Sequence, residues 1–316
     1  MKYTEALERF GSDKPDTRFG MEITDLTDVV KDCGFGVFTS AIANGGTVRC
    51  ITAKNGASTF TRKEIDKLTE YVKGIGVKGL AYIRWVEDAP NCSFGKFLGE
   101  GELDKILAAA GAEKGDVVFI IADKKNTALT SLGALRLKCA RQLNIIPEGK
   151  FNFLWITEFP FFEWNEETQH WDAMHHPFTM PMDECLQYLD TAPEKVFAKA
   201  YDLVLNGTEL SSGSIRITDY ELQQKMFESL GLTDEEIEAK FGFLVEAYKY
   251  GAAPHGGMGI GLDRLAMIMC GADSLRDVTA FPKVQNASEL MSNCPAAVDK
   301  DSLDILGIEV TKSEDE

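Results

Sequence analysis

The dipeptide Asn206-Gly207 stands between two β-rich runs, "YDLVL" and "TELSSGSIRI". A type I′ turn needs positive φ at both central residues, and Asn-Gly supplies it at least cost, so a hairpin is predicted over 201–218. A two-residue loop pairs Leu205 with Thr208, Val204 with Glu209 and Asp202 with Ser211. Glu209 then shares a face with Asp202, the two carboxylates roughly 5–7 Å apart as cross-strand neighbours. Charges that close repel unless a cation or a shared proton lies between them. Mg2+ bridging to phosphate oxygens suits such a pair, and a solvent-facing acidic hairpin suits the spacing equally.

An uninterrupted strand would put Arg216 on the face opposite Glu209. Gly213 within "SSGS" is a candidate bulge, and one extra residue would turn Arg216 onto the acidic face. There its guanidinium could fork onto a ligand carboxylate; a lone surface arginine is the alternative. In "MHHPFT" (174–179) Pro177 enforces extended backbone at His176. His175 and His176 therefore point to opposite sides, and only one of them can face a given site. His255 in "APHGG" reads as a loop residue. "GMGIG" (257–261) is not a P-loop, because no G-K-[ST] follows it. Its glycines allow close approach of a flat ligand, and a helix from Leu262 to Cys270 follows, with Asp263 and Arg264 alone among apolar residues. No Ser or Cys nucleophile stands beside a histidine, so covalent catalysis finds little support.

The chain has 316 residues, 44% hydrophobic and 26% charged, enough for two domains or one core with a large insertion. A net charge of −17 argues against nonspecific binding to nucleic acid or anionic membrane, while leaving room for a local basic site. Seven cysteines are scattered without a C-x-x-C, which reads as reduced thiols in a cytoplasmic protein. Zinc is disfavoured, since none of the four histidines sits at ligand spacing from a cysteine pair. No apolar run is long enough to cross a bilayer, and residues 1–20 hold no signal-peptide pattern.

Tyr3, Ala6, Leu7 and Phe10 predict a helix over 3–10, followed by the polar loop "GSDKPDTRFG" (11–20). A short helix around Leu26, Val29 and Val30 stops at Gly34, and strand-like runs cover 35–40 and 47–53. Thr61 and Glu64 form a capping box that opens a helix to Lys73. A strand at 80–86, a helix at 102–111 and a buried strand at 116–123 complete an inserted α+β block bounded near 35 and 125. A helix from Asn126 to Leu143 returns to a second body. There a strand is expected at 151–164, a turn at "NEET", helices near 182–190 and 194–200, the hairpin, and helices at 219–230 and 234–250. The last of these is capped by Thr233 and Glu236. The tail, 311–316, reads as disordered.

Taken together, "GSDKPDTR", "AMHHPFT", "NGTELSSGSIRI", "APHGGMGIGLDRLAM" and "LRDVTAFPK" (275–283) resemble bacterial-type aspartyl-tRNA synthetases, which are class II aminoacyl-tRNA synthetases. The resemblance covers essentially the whole chain. It implies an α+β fold, a class II antiparallel sheet flanked by helices, with an inserted α+β domain at 35–125 between core portions at 1–34 and 126–310. It implies ATP-dependent activation of L-aspartate and transfer to tRNA in the cytoplasm, with Mg2+, by an enzyme that is a homodimer when whole. Arg264 and Glu209 would be catalytic, and Gly261, Leu262, Asp263 and Arg264 would join Glu209 in binding ATP, with Arg264 on the γ-phosphate side. Asp202 and Glu209 would hold Mg2+, and His175 and Arg216 would bind aspartate. Ser211 and Ser212 stand where many bacterial relatives carry glycine. The anticodon-binding barrel and the first two class II motifs have no counterpart ahead of Tyr3. The chain is thus expected to be a C-terminal portion, inactive or nearly so without the missing N-terminal part. Two rivals are a non-catalytic tRNA-binding or split-synthetase subunit, and a class II paralogue that amidates aspartate; the inserted domain and "GSDKPD" weigh against the second.

Overall fold

The computed structural model describes residues 1–86 and 88–311, so all of the expected disordered tail except Thr311 lies outside the described residues. They form two units, one from Met1 to Ile260 and one that begins at Gly261. In the first unit, helix α1 (Tyr3–Phe10) ends on Gly11, which takes the left-handed conformation at φ +66°. Past the loop come β1 (Thr24–Asp25), α2 (Thr27–Val30) and α3 (Gly36–Ala43). The strand expected at 35–40 is therefore a helix. Its apolar residues do not alternate: Phe38 and Ile42, one turn apart, both pack into the core, while Val37 is exposed.

β2 (Thr47–Ala53), α4 (Arg62–Lys73), β3 (Ala81–Arg84), β4 (Asn91–Cys92), α5 (Glu102–Ala109) and β5 (Val117–Asp123) follow. Thr61 caps α4, its side chain accepting from the Glu64 N–H. The strands form an antiparallel sheet in the order β1-β2-β5-β3-β4, which begins at Thr24, ahead of residue 35. β5 is apolar at successive positions because both faces of the sheet are covered. Val117, Phe119 and Ile121 pack with Ile65 and Leu68 of α4 and with Leu132 of the next helix, α6 (Lys125–Gln142). Val118 and Ile120 pack with Leu26, Phe38 and Ile106 on the other side.

Helix α6 leads to β6 (Phe153–Pro160), the hairpin β7 (Phe162–Asn165) and β8 (His170–Ala173), and then β9 (Phe197–Leu205) and β10 (Thr208–Ile215). Residues 194–200 were expected to be helical, but only Pro193–Lys195 makes a 3-10 turn before the chain extends at Phe197. The period is two: Ala198, Ala200, Asp202 and Val204 are buried, and Lys199, Tyr201 and Leu203 are less so. α7 (Tyr220–Ser229) and α8 (Asp234–Lys249) precede β11 (Gly256–Ile260), and Thr233 and Glu236 make both bonds of the capping box on α8. The second sheet runs β11-β10-β9-β6, antiparallel throughout. Ile156, Ala198, Ala200 and Val204 on one face pack with Ala6, Ile217 and Met226. Phe153, Trp155, Met258 and Ile260 are exposed. Among the described residues no helix is long and apolar enough to cross a membrane.

The second unit carries α9 (Leu262–Cys270), ended by Gly271 in the left-handed conformation, and α10 (Lys300–Leu306), capped by Asp299. Neither helix buries a side chain.

One side chain fixes the loop at 11–20. Arg136 of α6 is 1% exposed, and its Nη2 donates to the carbonyls of Asp16, Phe19 and Gly20 at 2.9–3.0 Å. Its Nε donates to the Met21 carbonyl, and the guanidinium lies 4.0 Å from the Phe19 ring centroid. Burial pushes its pKa down to about 10, against the pull of Asp16 and Glu22, so the group stays charged at neutral pH. α1 and α6 meet backbone to backbone: a Cβ on Gly133 would lie 2.5 Å from the Gly11 carbonyl oxygen. Arg136→Met, measured by urea unfolding, is expected to cost about 3–5 kcal/mol, because several carbonyls lose their donor together and each buried acceptor left unsatisfied costs about 1–3 kcal/mol. Amide exchange over 16–21 should accelerate. Arg136→Lys should recover little of this, because an ammonium lacks the planar fork that reaches four carbonyls.

Candidate functional site

The hairpin has the register that its two-residue turn dictates: Leu205 opposite Thr208 and Val204 opposite Glu209, with Asn206 and Gly207 at φ +53° and +85°. A bulge then intervenes, but between Glu209 and Ser211 rather than at Gly213. Asp202 accordingly pairs with Ser212, one residue beyond the Ser211 expected without a bulge. Gly213 has a different task. A Cβ there would lie 2.2 Å from the Gly257 carbonyl oxygen and 2.7 Å from Tyr201, so it lets β11 close on β10. The bulge consumes Leu210, and alternation resumes with Ser212, Ser214 and Arg216 on the side of Glu209 and Asp202.

Asp202 is 6% exposed, and its Oδ1 has no hydrogen-bond partner. Burial pushes its pKa up, Glu209 and Asp13 push the same way, and the Ser212 hydroxyl and His175 pull it back. Glu209 is less buried, and the Lys14 ammonium of the 11–20 loop stands 3.9 Å from its Oε2. The loop reaches the hairpin because it packs against the turn: a Cβ on Gly207 would meet Asp16 Cβ at 3.2 Å. Among the described residues no three His, Cys, Asp or Glu side chains cluster as a metal cage.

Past the end of β10, Arg216 bridges to Thr179, which brings "MHHPFT" alongside it. Arg216 Nη1 donates to Ser214 Oγ at 2.9 Å and contacts the ring nitrogens of His176. Burial lowers the pKa of His176, Arg216 and His175 lower it further, and the ring accepts from the guanidinium as a neutral imidazole. The histidine beside Arg216 is thus His176. His175 faces the other way, edge-on to Phe159 with centroids 4.9 Å apart, and near enough to Asp202 to influence it. Gln223 of α7 is fully buried and donates to the Pro177 carbonyl at 2.9 Å, which holds the histidine segment in position.

Asp202, Glu209, Lys14, His175, His176 and Arg216 all belong to the first unit. Gly261, Leu262, Asp263 and Arg264 open the second. There Gly261 is the N-cap of α9, Leu262 is 74% exposed, and a Cβ on Gly261 would meet the Arg264 stem at 3.2 Å. Lys14, His176 and Gln223 were not singled out for these positions from the sequence. "GSDKPD" and the adjacent histidines were the available signals, but only the fold shows which side chain each delivers.

The family model for class II tRNA synthetases (D, K and N) matches residues 1–285, and the chain belongs to this family. It is 57% identical over 313 residues to an aspartate–tRNA ligase of Ruminiclostridium cellulolyticum, covering 99% of this chain and 53% of that protein. An aspartate–tRNA(Asp/Asn) ligase of Lachnoclostridium phytofermentans is 53% identical, with 99% and 52% covered. The chain spans about half the length of these curated relatives. An aspartyl tRNA synthetase structure from Entamoeba histolytica aligns over 48% of this chain and 26% of its own, at 25% identity and a TM-score of 0.34.

The buried carboxylate has a measurable consequence. Asp202 titrates higher in the folded state than in the unfolded one, so between the two pKa values the native state holds more protons and stability falls as pH rises. Its ionisation therefore costs stability at neutral pH. Asp202→Asn should raise stability by about 1 kcal/mol, or roughly 2–4 °C in Tm at pH 7. The gain should shrink below pH 4, where both states carry the proton.

Proposed function

We propose that this chain carries aspartate- and ATP-binding residues of an aspartate–tRNA ligase. The observation that supports this is one strand, β10, with Glu209 near its start and Arg216 past its end on a common face, Asp202 lying across from Ser212. The span along that face is on the order of 20 Å, a length that an aspartate and an ATP polyphosphate would fill end to end. In the proposed reaction the aspartate α-carboxylate attacks the ATP α-phosphate and pyrophosphate leaves; a hydroxyl of the terminal tRNA ribose then attacks the aspartyl carbonyl, and AMP leaves.

Arg216 forks onto the side-chain carboxylate of aspartate, and neutral His176 accepts from Arg216 and keeps its guanidinium aimed. His175, on the other side of its segment, is assigned to the aspartate beside Asp202. Asp202 and Glu209 would hold Mg2+. The unpartnered buried oxygen of Asp202 suits a metal, and a carboxylate pair, with no cage of three ligating side chains among the described residues, suits an ion that keeps phosphates and water as its remaining ligands. Bound there, Mg2+ supplies charge neutralisation to the polyphosphate. Gly261, Leu262, Asp263 and Arg264 are assigned to the nucleotide, with Arg264 and Glu209 catalytic. The protein's share of the chemistry is positioning and charge stabilisation of an in-line displacement.

The finer assignments belong to the same proposal. The five-stranded block corresponds to the inserted domain of bacterial enzymes, within 35–125, between core portions at 1–34 and 126–310. The chain corresponds to the C-terminal portion of the ligase. The α-phosphate arginine and the anticodon-reading part are supplied by residues outside these 316, in the same or another polypeptide, within a cytoplasmic homodimer.

Aspartate-dependent ATP–pyrophosphate exchange tests this, run on the 316-residue polypeptide alone and with a polypeptide carrying the α-phosphate arginine. Exchange is expected only with the second component. Glu209→Gln should lower it by about 10²–10³, the usual loss for one transition-state charge contact. Arg216→Met should raise the KM for aspartate at least as far, with Arg216→Lys failing to restore it. Exchange that is indifferent to both substitutions would sink the assignment, and robust exchange by the polypeptide alone would remove the need for a second component.

A further inference from the structure

"GSDKPD" was singled out in the sequence, yet nothing in the assigned site uses it. The structure shows an unusual investment in holding it still. Asp16, 3% exposed, accepts from the backbone N–H, Nε and Nη2 of Arg18 at 2.7–3.2 Å. Arg136 grips the carbonyls of Asp16, Phe19, Gly20 and Met21 from behind. Ser12 Oγ accepts from the Lys14 N–H at 3.1 Å, and Pro15 is buried. Held this way, the loop presents an exposed residue, Lys14, whose Nζ lies 3.9 Å from Glu209 Oε2 and 3.6 Å from Asp13 Oδ1.

Neither contact is a close charge-assisted bond, which would run near 2.7–2.9 Å. An ammonium placed midway between two half-exposed carboxylates is weakly committed to either, since such pairs are worth about 0–1 kcal/mol. The anchoring is therefore out of proportion to the ion pairs it creates. A rigid backbone that delivers a flexible cation to the edge of a carboxylate pair is the arrangement that polyphosphate sites use, where lysine serves as a point charge.

We infer that Lys14 is a nucleotide-binding residue: its ammonium leaves Glu209 when a Mg2+–polyphosphate arrives and binds a phosphate oxygen beside the metal. This rests on the reading of Glu209 and Asp202 as the Mg2+ carboxylates. Lys14 then counts the charge of the site. Without ligand it offsets Glu209; with Mg2+ on the carboxylates it is repelled towards the phosphates, which need it.

Equilibrium binding by calorimetry tests this on the full chain together with the polypeptide carrying the α-phosphate arginine, with Mn2+ alone and with Mn2+ plus a non-hydrolysable ATP analogue, for wild type, Lys14→Met, Lys14→Arg and Glu209→Gln. Melting curves check that each variant is folded; Lys14 is exposed, so its variants should melt with wild type. Lys14→Met should bind Mn2+ alone as tightly as wild type or more so, because a competing cation is gone. It should bind the Mn2+–nucleotide about tenfold more weakly, and Lys14→Arg should return to within about threefold. If Lys14→Met binds the Mn2+–nucleotide as tightly as wild type while Glu209→Gln loses binding, Lys14 is only a counter-ion and the inference falls with the metal reading intact. If Glu209→Gln binds as wild type, or wild type binds no nucleotide, the metal reading falls and this inference with it.

Discussion

Arg136 is the interaction on which the geometry of the site depends. Carried by α6, its guanidinium is buried, and its Nε and Nη2 donate to carbonyls of a loop that has no regular structure of its own. A buried charge survives there because Nε and Nη2 have carbonyl acceptors and because the Phe10 and Phe19 rings offer it their faces. Helix α6 also carries Leu129, Leu132 and Leu135 into the core beneath the five-stranded sheet. One helix thus ties that core to the loop, and the loop touches the hairpin at Gly207. A disturbance at Arg136 would reach Glu209 without altering any residue of the hairpin.

The second constraint is the single extra residue in β10. Two-residue periodicity would divide Glu209 and Arg216 between opposite faces. The bulge at Leu210 cancels that division, and Leu210 itself is buried, so the irregularity is anchored by its own side chain. Its cost in ladder hydrogen bonds is local. Its effect is not, because every second residue from Ser212 to Arg216 joins the face that already holds Asp202.

Much of this was legible before any coordinates, and the reasons differ by element. Asn206-Gly207 fixed a register because its turn type has one solution, and Thr233 with Glu236 fixed a helix start because both capping bonds are local. The bulge was foreseen in kind but misplaced to Gly213. Glycine there answers to β11, a partner distant in sequence, and local pattern cannot distinguish that demand from a bulge. The helix at 36–43 was missed because a short apolar run supports either structure, and the stacking of Phe35 on Phe94 that favours one is a tertiary fact. Which histidine meets Arg216 was equally undecidable, since it turns on the Thr179–Arg216 bridge and on Gln223 holding Pro177.

The 11–20 loop contains two kinds of ion pair, and the contrast between them separates support from function. Arg18 and Asp16 meet at 2.7 Å with their side chains 19% and 4% exposed, and Asp16 has its pKa pushed below the usual range by that partner despite the opposing effect of burial. Such a pair is hard to break, because neither group has water to return to. Lys14 and Glu209 meet at 3.9 Å with 47% and 29% exposure, where water screens both and separation costs little. The loop holds itself with the tight pair and leaves the loose one able to exchange.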